Sequence, residues 1–166
     1  MAGLKRIDGY EEEIINICPN DTMGDIIELE GLFIQLPEKP SEDEILFSNL
    51  PTSEQYWKRQ EIPSALQGIR SMDEWAEQPS NFRKAYSSYI ETEFKRRSEG
   101  VWMYVNGEAT YITGNHYFML QWVKIDGSFY GDYLAFQRKL FIHAKACEVD
   151  PRCVGQLFTK CRRSGY

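Results

Sequence analysis

The residues best suited to chemistry lie together near the carboxyl end of the chain. Lys160, Arg162 and Arg163 place three positive charges within four residues, and Gly165 follows them. The apolar run that precedes them, 153–159, is too short for a helix and suits a buried parallel strand. A buried strand that leads into a basic, glycine-containing turn is typical of the approach to a phosphate-binding loop. The same cations also fit an ordinary solvated loop, and both interpretations stay open at this point.

The usual form of such a loop is G-x-x-x-x-G-K-[ST]. Thr159 or Lys160 occupies the place of the first glycine, Gly165 that of the second, and Tyr166 stands where the lysine is expected. This departure leaves open which cation, Lys160 or an arginine, would do the work of the lysine.

The metal-binding residue types form no recognisable ligand pattern. Four cysteines occur without a C-x-x-C pair: Cys18, Cys147, Cys153 and Cys161. The two histidines are His116 and His143. This spacing argues against a structural zinc site and favours free thiols. No base and nucleophile surround His116, which we interpret as a structural or turn residue.

Charge is distributed unevenly along the chain, whose net charge is -6. Residues 1–100 contain 11 Lys and Arg against 20 Asp and Glu, whereas residues 101–166 contain 8 against 5. The acidic part is unsuited to gripping nucleic acid, and the basic end is the better place for a phosphate-bearing ligand. No apolar run approaches the ~18 residues of a membrane span, and the first ten residues lack the apolar core of a secretory signal. We therefore expect a soluble, intracellular chain.

Residues 1–65 form an acidic lead-in with short apolar stretches, interrupted by Pro37, Pro40 and Pro51. This pattern predicts short strands or extended arms rather than long helices. Such a segment often becomes ordered only against a partner or against the rest of the protein.

Two helical signals follow the lead-in. Ser71 and Glu74 have the spacing of a capping box, with Glu74 able to reach back to the Ser71 amide. An aromatic stripe then predicts a helix over 80–98, with Gly100 as its left-handed stop. The members of the stripe are Phe82, Tyr86, Tyr89 and the pair Glu93-Phe94.

The residues after Gly100 predict a β-hairpin over 101–113, closed by a type I′ turn at Asn106-Gly107. Gly114-Asn115 is expected to end its second strand, and an aromatic and β-branched stretch, 116–125, continues to a second turn at 126–128. A second helix is predicted over 132–146, with Asp132 as its cap and Arg138, Lys139 and Lys145 exposed. A strand is predicted at about 154–160.

Three segments occur in a distinctive order: Tyr-Ile-Thr-Gly-Asn-His-Tyr-Phe-Met-Leu (111–120), Asp-Tyr-Leu-Ala-Phe-Gln-Arg (132–138) and Gly-Gln-Leu-Phe-Thr-Lys-Cys-Arg-Arg-Ser-Gly-Tyr (155–166). This order resembles the N-terminal part of the large terminase subunit of tailed bacteriophages, the motor that packages DNA into the prohead. In that family a G-x-H-Y-F-x-L stretch precedes an adenine-binding segment with Tyr/Phe-Gln and then a K-x-R-R-x-G-x-[ST] phosphate loop. The resemblance covers roughly residues 100–166, and 1–99 correspond only to the variable lead-in of such proteins.

The resemblance implies a role for each matching residue. Gln137 would read the adenine edge, and Phe136 or Tyr133 would cover the base by stacking. The phosphate loop would comprise Lys160, Arg162, Arg163 and Gly165. Of its cations, Lys160 or Arg162 would act catalytically by opposing the charge that develops on the γ-phosphate. Outside this family, Gln137 would be a solvated polar residue, Phe136 a core residue and the arginines a solvated loop.

The resemblance also implies an architecture, in which an α+β segment of helix, β-hairpin and helix leads into the first strand of a RecA-like P-loop α/β ATPase domain. We expect an acidic arm (1–65), a small α+β subdomain (66–130) and the start of the ATPase domain (131–166). The Mg²⁺-binding carboxylates and the nuclease would lie beyond Tyr166, so we expect this chain alone to hydrolyse no ATP.

The implied activity is ATP-driven packaging of viral double-stranded DNA in the host cytoplasm, with ATP and Mg²⁺ as cofactors. The implied partners are the DNA, the portal protein, the small terminase subunit and further copies of the motor, with no membrane involved. Two alternatives stay open. One is a non-catalytic phage module that binds the portal or the small subunit, and the other is a fragment of another P-loop ATPase or helicase.

Overall fold

The computed structural model describes residues 4–7, 10–18, 24–129 and 131–159. Within these ranges the chain forms α-helices and small antiparallel or mixed sheets, so the expected α+β class is confirmed. The helices are α1 (Met72–Glu77), α2 (Ser80–Glu99), α3 (Gly114–Trp122) and α4 (Ala135–Val149). The strands are β1 (Leu4–Ile7), β2 (Tyr10–Glu13), β3 (Ile15–Asn16), β4 (Ile26–Leu29), β5 (Leu32–Gln35), β6 (Val101–Val105), β7 (Glu108–Ile112), β8 (Lys124–Ile125) and β9 (Ser128–Phe129).

The first part of the chain forms short strands, as its sequence predicts. Strands β1 and β2 pair antiparallel, and a second sheet has the order β3-β5-β4. In that sheet β3 runs parallel to β5 and β4 runs antiparallel to it, so Ile34 of β5 faces Ile15 on one side and Ile27 on the other. Three single-turn 3-10 helices follow at Glu42–Glu44, Thr52–Glu54 and Ser64–Leu66.

One of the two hydrogen bonds of the predicted capping box forms at the start of α1. The Ser71 hydroxyl accepts a hydrogen bond from the Glu74 amide at 3.1 Å, as predicted. The Glu74 carboxylate, however, accepts from the Arg70 amide at 2.7 Å, one residue before the expected Ser71 amide. Glu74 therefore fixes the chain that enters the helix.

Helix α2 matches the predicted helix closely and ends at Gly100. The φ and ψ angles of Gly100 are 83° and -172°, so its φ is positive but its ψ lies outside the left-handed helical region predicted for it. Non-glycine residues rarely adopt this backbone. A Cβ atom there would also lie 2.4 Å from the carbonyl oxygen of Ile112, so both conformation and space require glycine.

Strands β6 and β7 form the predicted hairpin. Asn106 and Gly107 have φ angles of 50° and 87°, as a type I′ turn requires. Gln55 holds this turn in place, since its backbone oxygen accepts from the Asn106 amide and its Oε1 accepts from the Gly107 amide, both at 2.9 Å. Leu46 forms a further bridge beside Met103. The part of the chain before α1 is thus bonded directly to the hairpin.

The residues after the hairpin are helical, where the sequence pattern indicated a further extended stretch. Gly114 begins α3 instead of ending a strand, and the Thr113 hydroxyl caps the helix by accepting from the His116 amide at 3.4 Å. The predicted second turn is confirmed, because Asp126 and Gly127 connect β8 to β9 with φ angles of 52° and 81°.

Helix α4 begins and ends three residues later than predicted. Its N-cap is Leu134, which provides no side-chain cap, so the predicted capping role of Asp132 is wrong. The predicted exposure of Arg138 and Lys145 is also wrong, since both are half-buried, whereas Lys139 is exposed as expected.

The predicted buried strand at 154–160 is wrong over its described residues, 154–159, which form no strand. Val154 and Leu157 are 103% and 94% exposed. The segment contacts α4 instead of a sheet: the Gln156 side chain donates to the Ala144 carbonyl at 3.2 Å, and the Phe158 ring meets His143 edge-on at 5.7 Å. Lys160 lies outside the described residues. Over 154–159, no strand corresponds to the expected first strand of a RecA-like domain.

Two buried apolar clusters stabilise the fold. The first joins the β3-β5-β4 sheet to Tyr111 of β7 and to Ile142 and Ala146 of α4. The second comprises Trp57, Val101, Met103, Ile112, Tyr117 and Leu120. Residues from before α1 contribute to both clusters, so these described residues of the lead-in pack against the rest of the chain.

Candidate functional site

His116 lies at the junction of α3 and α4 and is fully buried. Its ring stacks between two aromatic rings. The Phe141 ring centre is 4.7 Å away with planes 13° apart, and the Tyr133 ring centre is 5.7 Å away with planes 22° apart. The sandwich fixes the beginning of α4 against α3.

The surroundings of His116 favour a neutral imidazole. Burial lowers its pKa to about 4, and the nearby Arg138 guanidinium acts in the same direction. Neither ring nitrogen makes a hydrogen bond to any residue that the structure describes. A neutral ring packed on both faces holds neighbouring elements in place and is poorly suited to proton transfer, in agreement with the structural interpretation from sequence.

Arg138 connects α4 to the hairpin. Its Nε donates to the carbonyl oxygen of Tyr111 in β7 at 2.7 Å, and its burial lowers the pKa of the guanidinium. Sequence periodicity predicted that Arg138 is exposed. A helical pattern does not show that a backbone carbonyl of the hairpin, that of Tyr111, lies beside this face of the helix.

The three predicted base-binding residues lie at or just before the first turn of α4. Gln137 is 4% exposed, whereas Phe136 and Tyr133 are half-buried. Tyr133 packs on the second apolar cluster and presents one face to His116. Gln137 is therefore an interior residue, and an adenine could reach its amide only after a shift of its neighbours.

The predicted phosphate-binding residues lie outside the described part of the chain: Lys160, Arg162, Arg163 and Gly165. The segment before them can be followed to Thr159. Its contacts with α4 progress from Ala144, which meets Gln156, to His143, which meets Phe158. Up to that point the chain lies against the middle of α4.

A second buried polar group, which the sequence did not indicate as a site, joins α2 to α3. The Tyr117 hydroxyl lies 2.8 and 2.9 Å from the two carboxylate oxygens of Glu93, and Arg96 donates to the same carboxylate at 2.9 Å. Glu93 is 6% exposed. A signal for it existed, because Glu93 occupies a position in the aromatic stripe of α2, and a carboxylate there must find partners.

In the described ranges, no group of three or more His, Cys, Asp or Glu side chains is arranged to hold a metal ion. Among the same residues, no helix has the length and apolar character needed to cross a membrane. Comparison with protein-family models, with curated proteins and with solved structures finds no match.

Proposed function

We propose that this chain is the N-terminal part of the large terminase subunit of a tailed bacteriophage, an ATP-driven motor that packages viral double-stranded DNA into the prohead. The observation that carries the proposal is the relation of two of the family-like segments. The segment that leads to the basic residues contacts α4, the helix whose first turn contains Gln137. A base-reading residue and a phosphate loop must lie within the length of one nucleotide, and contact of this segment with α4 is compatible with that requirement.

The adenine would be recognised at the start of α4. The Gln137 amide can donate and accept at once, which matches the paired donor and acceptor on the adenine edge. The exposed part of Phe136 offers an apolar surface for the base, while Tyr133 is already engaged with His116. Because Gln137 is buried, its recognition of the base includes a local opening of the first turn of α4.

The phosphates would be held by Lys160, Arg162, Arg163 and the backbone at Gly165. Glycine lets the backbone approach the nucleotide, and Lys160 or Arg162 opposes the charge that develops on the γ-phosphate. Mg²⁺, when bound with ATP, neutralises charge on the β- and γ-phosphates. Among the described residues no group of three or more His, Cys, Asp or Glu side chains is arranged to hold that ion. The proposed family implies that its carboxylate ligands belong to a later part of the full-length protein.

The full-length protein would act in the host cytoplasm as an assembly of identical subunits. Its partners would be the viral DNA, the portal protein and the small terminase subunit, and it would also carry the endonuclease that cuts the packaged DNA. These assignments follow from the proposed family.

Photocrosslinking of the full-length gene product with 8-azido-ATP tests the proposal. We expect ultraviolet light to label the peptide that contains Gln137, and excess ATP to suppress the labelling. Gln137→Ala should weaken ATP binding by roughly ten-fold to a hundred-fold, which corresponds to about 1–3 kcal/mol for polar base atoms left unpaired. Gln78→Ala is the matched control, because this half-buried residue after α1 bonds locally through its amide, to the Glu74 carbonyl.

A second variant separates binding from chemistry. Arg162→Ala should lower ATP turnover more than ATP affinity, because a cation that acts on transition-state charge contributes little to ground-state binding. Labelling confined to other regions, or an affinity that Gln137→Ala leaves unchanged, would contradict the proposed role of α4. A product that neither binds nor hydrolyses ATP would instead favour the non-catalytic interaction module.

A further inference from the structure

A cavity of about 710 Å³ lies against α2. It is open to solvent and is lined by the chain at 59–72, by α1 and α2, and by the region from the end of α3 to β9. Much of its wall is apolar, with Ile62, Leu66 and Ile90 as examples. At its edge Met72 and Phe94 are 68% and 57% exposed, so an apolar surface of this protein remains uncovered.

Three cationic side chains lie at this apolar wall, and each of them lies over an aromatic ring instead of beside a carboxylate. The Arg97 guanidinium carbon is 4.7 Å from the centre of the Trp122 ring. The Arg59 guanidinium carbon and the Lys124 ammonium are 3.3 and 4.6 Å from the centre of the Phe129 ring. Within the described ranges, none of these three cations forms an ion pair.

The acidic residue of the cavity wall is already engaged. Glu93 is buried with Tyr117 and Arg96 and therefore does not neutralise the cations at the edge. Arg70 adds a further positive charge to the lining. In a chain whose net charge is -6, this cavity is a local positive surface.

Three hydrogen-bonding atoms of lining residues lack partners among the residues that the structure describes. They are the Tyr89 hydroxyl, Arg97 Nε and Trp122 Nε1. All three can donate, and a buried donor without an acceptor destabilises the fold. They are shielded from water, so an acceptor reaches them only with a small shift of the cavity wall. An occupant rich in acceptors would remove this destabilisation.

We propose that this cavity, with its cationic edge, is a docking groove for an acidic amphipathic segment of a partner protein. Apolar side chains of the segment would enter the wall around Leu66 and Ile90, while its carboxylates would meet Arg59, Arg97 and Lys124. Binding of a helix in a groove has this combination of buried apolar anchors and complementary charge. A nucleic-acid backbone would satisfy the cations but leave the apolar wall uncovered, so the groove fits a peptide better. The inference does not depend on the proposed ATPase function.

Selection from a random peptide library tests the proposal with the 166-residue chain. Peptides of about 15 residues, roughly four helical turns, would be displayed and selected on the immobilised wild-type protein. We expect the selected sequences to be enriched in Asp and Glu together with Leu, Ile or Phe. The affinity of a labelled selected peptide, measured by fluorescence anisotropy, should fall at least about ten-fold for Arg59→Gln/Arg97→Gln and should weaken as salt is raised. Arg83→Gln/Lys84→Gln removes two exposed charges of α2 outside the groove and should bind like wild type.

A second variant guards against misfolding, because Arg59 also donates to the carbonyl of Gln121. Lys124→Gln changes an exposed cation that does not belong to the core, and it should weaken binding about three-fold with an unchanged circular dichroism spectrum. The proposal is overturned if no peptide is enriched, if enriched peptides have no acidic excess, or if they bind all variants equally. It is also overturned if a DNA duplex displaces the selected peptides and binds the groove more tightly, since the surface is then a nucleic-acid site.

Discussion

The hydroxyl of Tyr117 in α3 donates to the carboxylate of Glu93 in α2, 2.8 and 2.9 Å from its two oxygens, in a region closed to solvent. Arg96 lies on the same carboxylate, so the buried charge of Glu93 is both paired and hydrogen-bonded. Burial and the neighbouring carboxylate raise the pKa of Tyr117, which keeps the phenol protonated as the donor. This contact fixes α3 on α2 and thereby positions His116, the residue before Tyr117 in α3.

Tyr117→Phe should destabilise the fold by about 1.5–3 kcal/mol, the usual range for a lost hydrogen bond to a charged group. Urea unfolding followed by circular dichroism measures the change. Tyr104→Phe is the control, because that hydroxyl bonds to Glu42 at the surface, where water replaces it, so its effect should be smaller. Equal losses for the two variants would show that burial of the Glu93 carboxylate is not what makes the contact stabilising.

The crossing of α2 and α3 depends on Gly114. A Cβ atom at this position would lie 2.0 Å from the carbonyl oxygen of Arg97. Gly114→Ala should therefore force the helices apart and cost about 2–3 kcal/mol of unfolding free energy. Gly68→Ala is the matched control, because a Cβ there meets nothing within 4 Å. A Gly114→Ala protein as stable as the control would mean that the two helices can separate without loss of packing.

The hairpin turn has its own anchor in Gln55, which is 6% exposed. Its side chain accepts from the Gly107 amide and donates to the Leu50 carbonyl, both at 2.9 Å. Gln55→Leu keeps the size but leaves both backbone groups without this partner, so we expect a loss of about 2–3 kcal/mol in urea unfolding. Gln78→Leu, at an exposed bond to Glu74, should change stability little. Equal stabilities of Gln55→Leu and Gln78→Leu would mean that the turn residues hold the hairpin without Gln55.

Elements with local signals were predictable from the sequence. Asn106-Gly107 specifies its turn by backbone preference, and the aromatic stripe of α2 with Gly100 after it specifies a helix and its end. These signals act over a few residues and do not require knowledge of tertiary neighbours.

Elements that depend on neighbours were predicted wrongly. The aromatic residues of α3 have β propensity, but the Thr113 cap and burial of Tyr117 against α2 favour a helix there. An apolar run such as 154–159 becomes a strand only beside another strand with a free edge. In the described structure it lies along α4 instead.

In the candidate site, too, the local features were predictable from the sequence and the tertiary contacts were not. The sequence grouped Tyr133, Phe136 and Gln137 on one short segment, and in the structure they lie at or just before the first turn of α4. It did not indicate that His116 would occupy one face of Tyr133, or that Arg138 would be bonded to Tyr111. Both contacts join residues more than fifteen positions apart, and no spacing rule in a single sequence encodes them.

The depressed pKa of His116 makes stability depend on pH in a defined window. The folded value is about 4, against an ordinary value of 6.5. Between these two values the unfolded chain binds a proton that the folded chain does not, so unfolding is favoured as pH falls from 6.5 to 4. A difference of this size corresponds to about 3 kcal/mol, since each unit of pKa is worth about 1.4 kcal/mol.

His116→Phe should remove this dependence of stability on pH and keep an aromatic ring stacked with Tyr133 and Phe141. We expect the wild-type stability minus that of His116→Phe to be constant above about pH 7 and to fall by about 3 kcal/mol toward pH 4. Urea titrations at a series of pH values give the difference curve, from which the carboxyl groups, Asp150 among them, cancel because both proteins carry them. Parallel curves for wild type and His116→Phe would mean that the buried imidazole accepts its proton without unfolding, with Arg138 moving away to allow it.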